Sequence, residues 1–503
     1  MGKMAIGNLI KRIQDIMRND AGVDGDAQRI SQMTWMFFLK VYDAKEREWE
    51  FIDKDYKSLI PNELKWSTWA TDDHSNNVIT GEKLLDLVNN KLFPFLKGET
   101  VTLSNGEQAF YGINEHTILK QKIARFVFED AQNYMKDGVL LRQVINVINE
   151  LDFADYKEKH EFGTIYETIL KSLQSAGNAG EFYTPRAVTD FMVKMINPKL
   201  GEKIADFACG TGGFLTSSLK HLEDQKKTVE DENLYDNSVY GIEKKPLPYL
   251  LCITNMLIHD VDEPKIFHDN SLEKRVQDYT EADKFDIILM NPPYGGSEKE
   301  AVKNNFPADL RSSETADLFM NVIMYRLKKK GRCAVILPDG FLFGADNAKV
   351  AIKTKLLKEF NLHTIIRMPH SVFAPYTSIT TNILFFDHTH PTEEVWFYRM
   401  DMPEGYKNFS KTKPIQLEHF DQVIKWWDNR EEIIIDEFPK AKKYSKQEII
   451  NRNYDLDLCQ FPHEEEEILE PMELISQYRE KRKTLNDEID KILAEITRIL
   501  NED

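Results

Sequence analysis

Ile204-Ala-Asp-Phe-Ala-Cys-Gly210-Thr-Gly-Gly-Phe-Leu-Thr-Ser-Ser-Leu-Lys-His-Leu222 reads as a strand, a tight turn and a helix in nineteen residues. The apolar run Ile204 to Ala208 predicts a strand, and Leu215 to Leu222 predicts a helix. Between them Gly210, Gly212 and Gly213 let the backbone turn sharply and approach a ligand, with Thr211 and Phe214 in the same turn. Asp206, near the strand end, is placed to engage a cationic or hydroxyl-bearing group. The spacing is G-x-G-G rather than the G-x-G-x-x-G of a dinucleotide dehydrogenase, and no P-loop motif occurs. Cys209 reads as a compact filler of the turn rather than a nucleophile.

Seven further β-rich runs lie downstream: Val239 to Glu243, Lys265 to His268, Phe285 to Met290, Cys333 to Leu337, Thr364 to Met368, Asn382 to Phe386 and Val395 to Tyr398. Most are separated by helix-length segments, which predicts an α/β fold with a mostly parallel, doubly wound, Rossmann-like sheet. The last two, joined by a short polar loop, are expected to pair antiparallel at one edge. Ligands of such sheets bind beyond the carboxyl ends of the strands, near the topological switch point.

Outward from this core the texture changes. Residues 1–155 read as a helical N-terminal domain: Ile6, Leu9, Ile10, Ile13, Ile16 and Met17 recur at helical spacing, and Met33 to Val41 is apolar on several sides. Gly22 and Gly25 break the pattern between them. Residues 156–465 would form the sheet domain and 466–503 a C-terminal helix. In that helix Ile475, Tyr478, Leu485, Ile489, Ile492, Ile496 and Ile499 follow alternating steps of three and four, with Arg482 at the one polar position. A seam this short suits docking on a partner helix. Tryptophans 426 and 427 read as belonging to a helix core.

The 503 residues carry a formal charge of -18, and residues 456–503 hold 14 Asp and Glu against 6 Lys and Arg, including Glu464 to Glu467. A chain so acidic is expected to bind a polyanion poorly unaided. There is no apolar run long enough to span a membrane and no secretory start, which points to the cytoplasm. The four cysteines, Cys209, Cys252, Cys333 and Cys459, are far apart without a C-x-x-C pair, so reduced thiols and no metal site are expected.

Three strand ends carry the remaining chemistry. Glu243 closes Val-Tyr-Gly-Ile-Glu, where a carboxylate can accept from both hydroxyls of a ribose. Asp269 and Asn270 follow Ile266-Phe-His and suit the edge of an adenine ring. Asn291-Pro292-Pro293-Tyr294 directly follows the strand Phe285 to Met290. Two prolines cannot continue the strand and hold the chain extended past its end. Asn291 and Tyr294 are thus presented rigidly beyond the sheet. An aromatic amine is a poor nucleophile because its lone pair is delocalised; the Asn291 side-chain oxygen and the Pro292 carbonyl, accepting from that amine, would favour the geometry that frees it. Tyr294 would stack on a base taken out of the duplex.

The order Gly180-Glu181-Phe182-Tyr183-Thr184-Pro185-Arg186, Asp206 to Phe214, Glu243, Asn291 to Tyr294 resembles the N6-adenine DNA methylases, and in particular the modification subunits of type I restriction-modification systems. The resemblance covers about 150 to 460, extends to the helical front, and departs at Phe207, where the family often has Pro. It implies a methyl donor, S-adenosylmethionine, contacted by Glu181 to Arg186 and by Thr211 to Gly213, with its ribose on Glu243. Asn291 to Tyr294 would be the catalytic loop. On this reading a side chain at Gly212 would fill ligand space. The resemblance also implies a DNA duplex with a flipped adenine, a separate specificity subunit receiving two copies of this chain, and a restriction or translocase subunit where cleavage occurs.

Asn-Pro-Pro-Tyr also serves methylation of protein glutamine and of RNA amino groups, so substrate class rests on the rest of the chain. No Pro-Cys dipeptide supports cytosine C5 chemistry. A self-sufficient adenine methyltransferase would need its own recognition domain, and no helix-turn-helix, zinc finger or basic stripe is found. Glu63-Leu-Lys65 is the nearest nuclease-like fragment and lacks a convincing acidic partner.

Overall fold

The computed structural model describes residues 3–71, 78–151, 156–173, 181–461 and 471–501, in two compact units, Met1–Gln460 and Phe461–Asp503. The expected boundaries at 155 and 465, Gly180, and Glu464 to Glu467 lie outside those residues.

The helical front is built on the helices Lys3–Met17 and Gly25–Ile52. The first buries Leu9, Ile10, Ile13 and Met17, and the second is sunk so deeply that Trp35, Met36, Phe37 and Phe38 are all enclosed. A small hairpin, β1 (Val101–Thr102) with β2 (Gln108–Ala109), was not legible as strand. Lys45 keys the front to the sheet-bearing part of the chain: its buried ammonium lies 2.7 Å from Asp260 and 3.0 Å from Asp262.

The remaining strands form one ten-stranded sheet: β3 (Ile204–Asp206), β4 (Val239–Glu243), β5 (Lys265–His268), β6 (Phe285–Met290), β7 (Leu327–Pro338), β8 (Asn361–Arg367), β9 (Thr381–Asp387), β10 (Glu394–Arg399), β11 (Ile433–Ile435) and β12 (Phe438–Ser445). Their order is β11-β12-β10-β8-β9-β7-β6-β3-β4-β5. Five pairings are parallel, and the four antiparallel ones involve β9 or β12.

Both faces of the sheet are covered at its centre, so β6 and β9 are apolar runs rather than alternating ones. In β6, Ile287 and Leu289 join the core shared with the helical front, while Ile288 and Met290 join a second core on the other face. β9 repeats the division, with Ile383 and Phe385 on one side and Leu384 and Phe386 on the other.

The expected pairing of Asn382 to Phe386 with Val395 to Tyr398 does not form. β9 lies between β7 and β8, antiparallel to both, and β10 pairs in parallel with the far side of β8. The six residues 388–393 reach up to ~20 Å when extended, twice the ~10 Å across two strand spacings, so the loop clears β8. β11 and β12, also unread in the sequence, extend the same edge. Trp426 is buried in the helix Asp421–Asp428, as expected.

In the second unit, Pro471–Asn501 is one helix, with Ile475, Tyr478, Leu485, Ile489 and Ile492 exposed. The side chains of Ile496 and Ile499 lie outside the described residues. No helix among the described residues is long and apolar enough to cross a membrane.

Candidate functional site

The reversal of strand order falls beside β3: the chain runs from β3 outward to β5, then returns to β6 on the other side. The carboxyl ends of β3, β4, β5 and β6 therefore converge, and backbone amides tie them together. Gly210 donates its N–H to Glu243 Oε2 at 2.9 Å, and Lys245 donates to Glu243 Oε1 at 2.7 Å. Asp269 donates its amide to the Glu243 carbonyl at 3.1 Å. The turn after β3 is left-handed at Gly210 (φ 53°) and Gly212 (φ 79°), which opens the helix Gly213–Glu223.

The segment from Glu181 to Arg186 packs across this turn. Thr211 donates its N–H to the Phe182 carbonyl at 3.2 Å. A Cβ on Gly210 would stand 2.7 Å from that same carbonyl oxygen, so only glycine allows the approach. Tyr183 donates its hydroxyl to Glu167 at 2.7 Å, and Arg186 pairs with the same carboxylate at 2.9 Å. Pro185 then caps the helix Arg186–Ile196.

A cavity of about 270 Å³ opens at this junction, and its walls include Glu181, Phe182, Gly210, Glu243, Asp269, Asn270, Asn291 and Pro293. Five segments distant in sequence thus meet around one space. Other residues of the same motifs stand behind the wall. Tyr183, Thr211 and Phe214 are buried, and Arg186 is committed to Glu167. Gly212 does not face the cavity: its φ aims a Cβ at Cys252 Sγ, 2.8 Å away, and at Met256, so a side chain there meets a helix rather than ligand space. Gly213 would meet Arg186 Nη1 at 2.3 Å. The wall also contains Lys244, Lys245, Ser271, Thr315 and Phe319, none of which belongs to a motif that sequence reading can recognise.

Burial sets the electrostatics. The Glu243 carboxyl is pushed up by burial and pulled back by the N–H groups of Lys245, Gly210 and Lys244. Burial also raises Glu181, opposed by the charge of Lys245. Asp206 is not on the wall. It is 2% exposed, accepts from Ala208 N–H at 3.0 Å, and is pushed up to about 8 by burial, with the nearby Glu243 adding to the shift. Its strand-end position is structural: the carboxyl fastens the start of the turn.

Asn291 follows β6 directly and is joined on both sides of its amide. Its Nδ2 donates to Thr184 Oγ1 at 3.1 Å, and its Oδ1 accepts from the Tyr294 hydroxyl. Pro292 is buried and Pro293 faces the cavity. Burial pushes the Tyr294 phenol well above its ordinary value, with Tyr376 adding to it, so the phenol stays a hydrogen-bond donor. All four cysteines are free and buried, with Cys209 and Cys252 sulfurs 3.9 Å apart. Among the described residues no cluster of metal ligands occurs. Glu63 accepts from the Ser104 N–H and approaches Lys91, a structural use.

Residues 157–469 match the family model described as N-6 DNA Methylase, and residues 6–148 match that of the HsdM N-terminal domain. The chain is 49% identical over 489 residues, 96% of both chains, to the type I restriction enzyme EcoEI methylase subunit of Escherichia coli. It is 26% identical to the EcoKI methylase subunit of Escherichia coli strain K12, over 59% of this chain and 60% of that one. A chain from a structure that addresses complex assembly and conformational transition of a type I restriction-modification system superposes with a TM-score of 0.78 at 32% identity, covering 99% of each chain. The matched spans include the helical front as well as every strand of the large sheet, so the likeness is one of whole architecture. The chain accordingly belongs to the N-6 DNA methylase family, among the methylase subunits of type I restriction enzymes, and is an adenine-specific DNA methyltransferase.

Proposed function

We propose that the cavity at the carboxyl edge of β3 to β6 holds S-adenosylmethionine beside a flipped adenine, and that Asn291 to Tyr294 form the catalytic loop. Class I methyltransferases use this cofactor, and bound here it supplies an electrophilic methyl on a cationic sulfur. The residues fit it. Glu243 is fixed by two backbone N–H bonds, one on each oxygen, and each oxygen keeps a further lone pair for a ribose hydroxyl. The wall sets Glu181, Glu243, Asp269 and Glu298 against Lys244 and Lys245, an acidic excess suited to a cation. Asp269 and Asn270 supply an acceptor and an amide at the end of β5, toward a purine edge.

The observation that carries the reading is that Asn291 opens on the same cavity as Glu243. Its side-chain oxygen accepts from the adenine amine, together with the Pro292 carbonyl, and the nitrogen lone pair is turned toward the methyl. Tyr294 stacks on the base. Recognition of the DNA sequence belongs to a separate specificity subunit holding two copies of this chain, and the exposed seam from Ile475 to Ile492 is its docking face. A restriction subunit joins the same assembly, in the cytoplasm.

Asn291→Ala tests the reading. Turnover should fall about 100- to 1,000-fold, the worth of one transition-state hydrogen bond, while calorimetric titration with S-adenosylmethionine stays near wild type. Retention of more than about a tenth of wild-type turnover would overturn the catalytic assignment.

A further inference from the structure

We propose that the loop after β10, residues 405–413, holds the phosphate backbone of the DNA duplex beside the catalytic loop, through Lys407, Lys411 and Lys413. The proposal rests on the target adenine being presented at Asn291. A chain of charge -18 that acts on a polyanion needs its positive charge to be local, on the edge where the base is methylated.

Topology puts this loop on that edge. β6 and β7 run parallel, β9 runs antiparallel to both β7 and β8, and β10 runs parallel to β8. The strands β6, β8 and β10 therefore end on the same side of the sheet. Four strand spacings separate β10 from β6, about 19 Å. That is roughly half of the ~34 Å turn of a duplex. DNA lying along the edge with its adenine at Asn291 passes over the loop.

The loop is held there from beneath. Met400 donates its N–H to the Arg367 carbonyl at 2.9 Å, which ties the end of β10 to the end of β8. Phe409, 3% exposed, donates its N–H to Ser371 Oγ at 2.9 Å, and Asn408 Oδ1 lies 2.7 Å from His370 Nε2. His370 and Ser371 belong to the loop 368–380 between β8 and β9, and Tyr376 of that loop stands close enough to Tyr294 to bear on its ionisation. The lysine loop, the β8–β9 loop and the catalytic loop are thus joined in series.

The charge of this stretch departs from that of the chain. Residues 369–380 and 405–416 contain no Asp or Glu, where the chain's average of 83 in 503 would put about four in these twenty-four positions. Asp401, just before the loop, is taken by Arg399 at 2.7 Å and by Lys440 at 3.0 Å. Against the three lysines stands Glu404, exposed at the start of the loop. Lys407, Lys411 and Lys413 are all exposed, and the tip is closed by Ser410 donating its N–H to the Lys413 carbonyl at 3.0 Å. Ammonium groups on a braced turn contact phosphates without reading bases, which suits a chain whose target sequence is read elsewhere.

The test uses the full-length chain assembled with its specificity subunit, titrated over a range of salt with labelled duplexes that contain or lack the target sequence. Replacing Lys407, Lys411 and Lys413 together by Ala should lower affinity about 10- to 100-fold at about 0.1 M salt. The plot of log affinity against log salt should become shallower by about 2.7, at about 0.9 per phosphate contact, and equally for both duplexes. The KM for DNA in the methylation assay should rise in step, while calorimetric affinity for S-adenosylmethionine keeps its wild-type value. Replacing the three lysines by Arg should preserve the slope. Lys329→Ala with Lys330→Ala, which removes exposed charge from the start of β7 on the opposite edge, should also preserve it.

An unchanged slope in the triple Ala variant, or an equal change in the Lys329 and Lys330 control, would overturn the proposal. So would loss of co-elution with the specificity subunit, which would give the loop to assembly instead of DNA. These readings need no methyl transfer. An active Asn291→Ala would overturn the catalytic assignment while leaving the salt slope to decide the loop, so the two failures are distinguishable.

Discussion

Gly210→Ala is the substitution whose cost can be worked most directly from the geometry. Gly210 has φ 53°, and an added Cβ would lie 2.7 Å from the Phe182 carbonyl oxygen. The left-handed conformation costs a non-glycine residue about 1–2 kcal/mol. The contact with backbone adds an overpacking cost of about 1–3 kcal/mol, because the oxygen cannot swing aside as a side-chain tip would. Gly405→Ala isolates the first cost, having φ 78° and open space around the added methyl. Scanning calorimetry should show Gly210→Ala less stable than Gly405→Ala by that difference. Displacing Phe182 and the Gly210 N–H that holds Glu243 also moves two cavity walls. Titration with S-adenosylmethionine should show affinity reduced about 5- to 30-fold for Gly210→Ala, equivalent to 1–2 kcal/mol, and unchanged for Gly405→Ala. Equal stability of the two variants with unaltered affinity in both would refute the view that this turn braces the cavity.

Tyr294→Phe keeps the ring and frees the Asn291 oxygen, so methylation should be retained, whereas Tyr294→Ala should lose about 1–3 kcal/mol of base binding; equal losses in both would show that the hydroxyl matters and stacking does not. Burial raises the Asp206 pKa from 3.8 to about 8, so the folded chain holds a proton that the unfolded chain releases. Its contribution to stability is complete below about pH 4 and is lost as pH rises to about 8, at up to ~1.4 kcal/mol per pH unit. Asp206→Asn should flatten that part of a denaturant-monitored stability profile, and an unchanged slope would show that Asp206 is already ionised. Truncation after Pro471 should abolish assembly with the specificity subunit in gel filtration while leaving cofactor affinity intact; undiminished assembly would remove the seam from the interface.

Much of the architecture was legible because the signals were local. Ile204 to Leu222 announced a strand, turn and helix through apolar runs and glycines that lie side by side in sequence. Asn291 to Tyr294 announced itself because two prolines after an apolar strand leave few conformations. Glu243 stood out as an acid at a strand end. Helical spacing also marked the front, the helix around Met33 to Val41 and the C-terminal seam, since each presents its apolar side chains at a period of the chain itself.

What the tertiary structure alone decided was long-range. Whether β10 pairs with β9 or beyond β8 depends on which strand fills the gap, and no local pattern encodes that. Asp206 and Glu243 look alike as strand-end acids, yet one is enclosed as a structural tie and the other lines the cavity, because the turn after β3 folds over the first and past the second. Gly210 and Gly212 are two residues apart with similar φ, but one abuts the Phe182 carbonyl and the other Cys252, so only the first shapes the cavity wall. Thr184 and Asn291 are 107 residues apart, and the hydrogen bond between them exists only because the sheet brings the ends of distant segments to one edge. Sequence spacing specifies the elements; their packing specifies which side chain meets which.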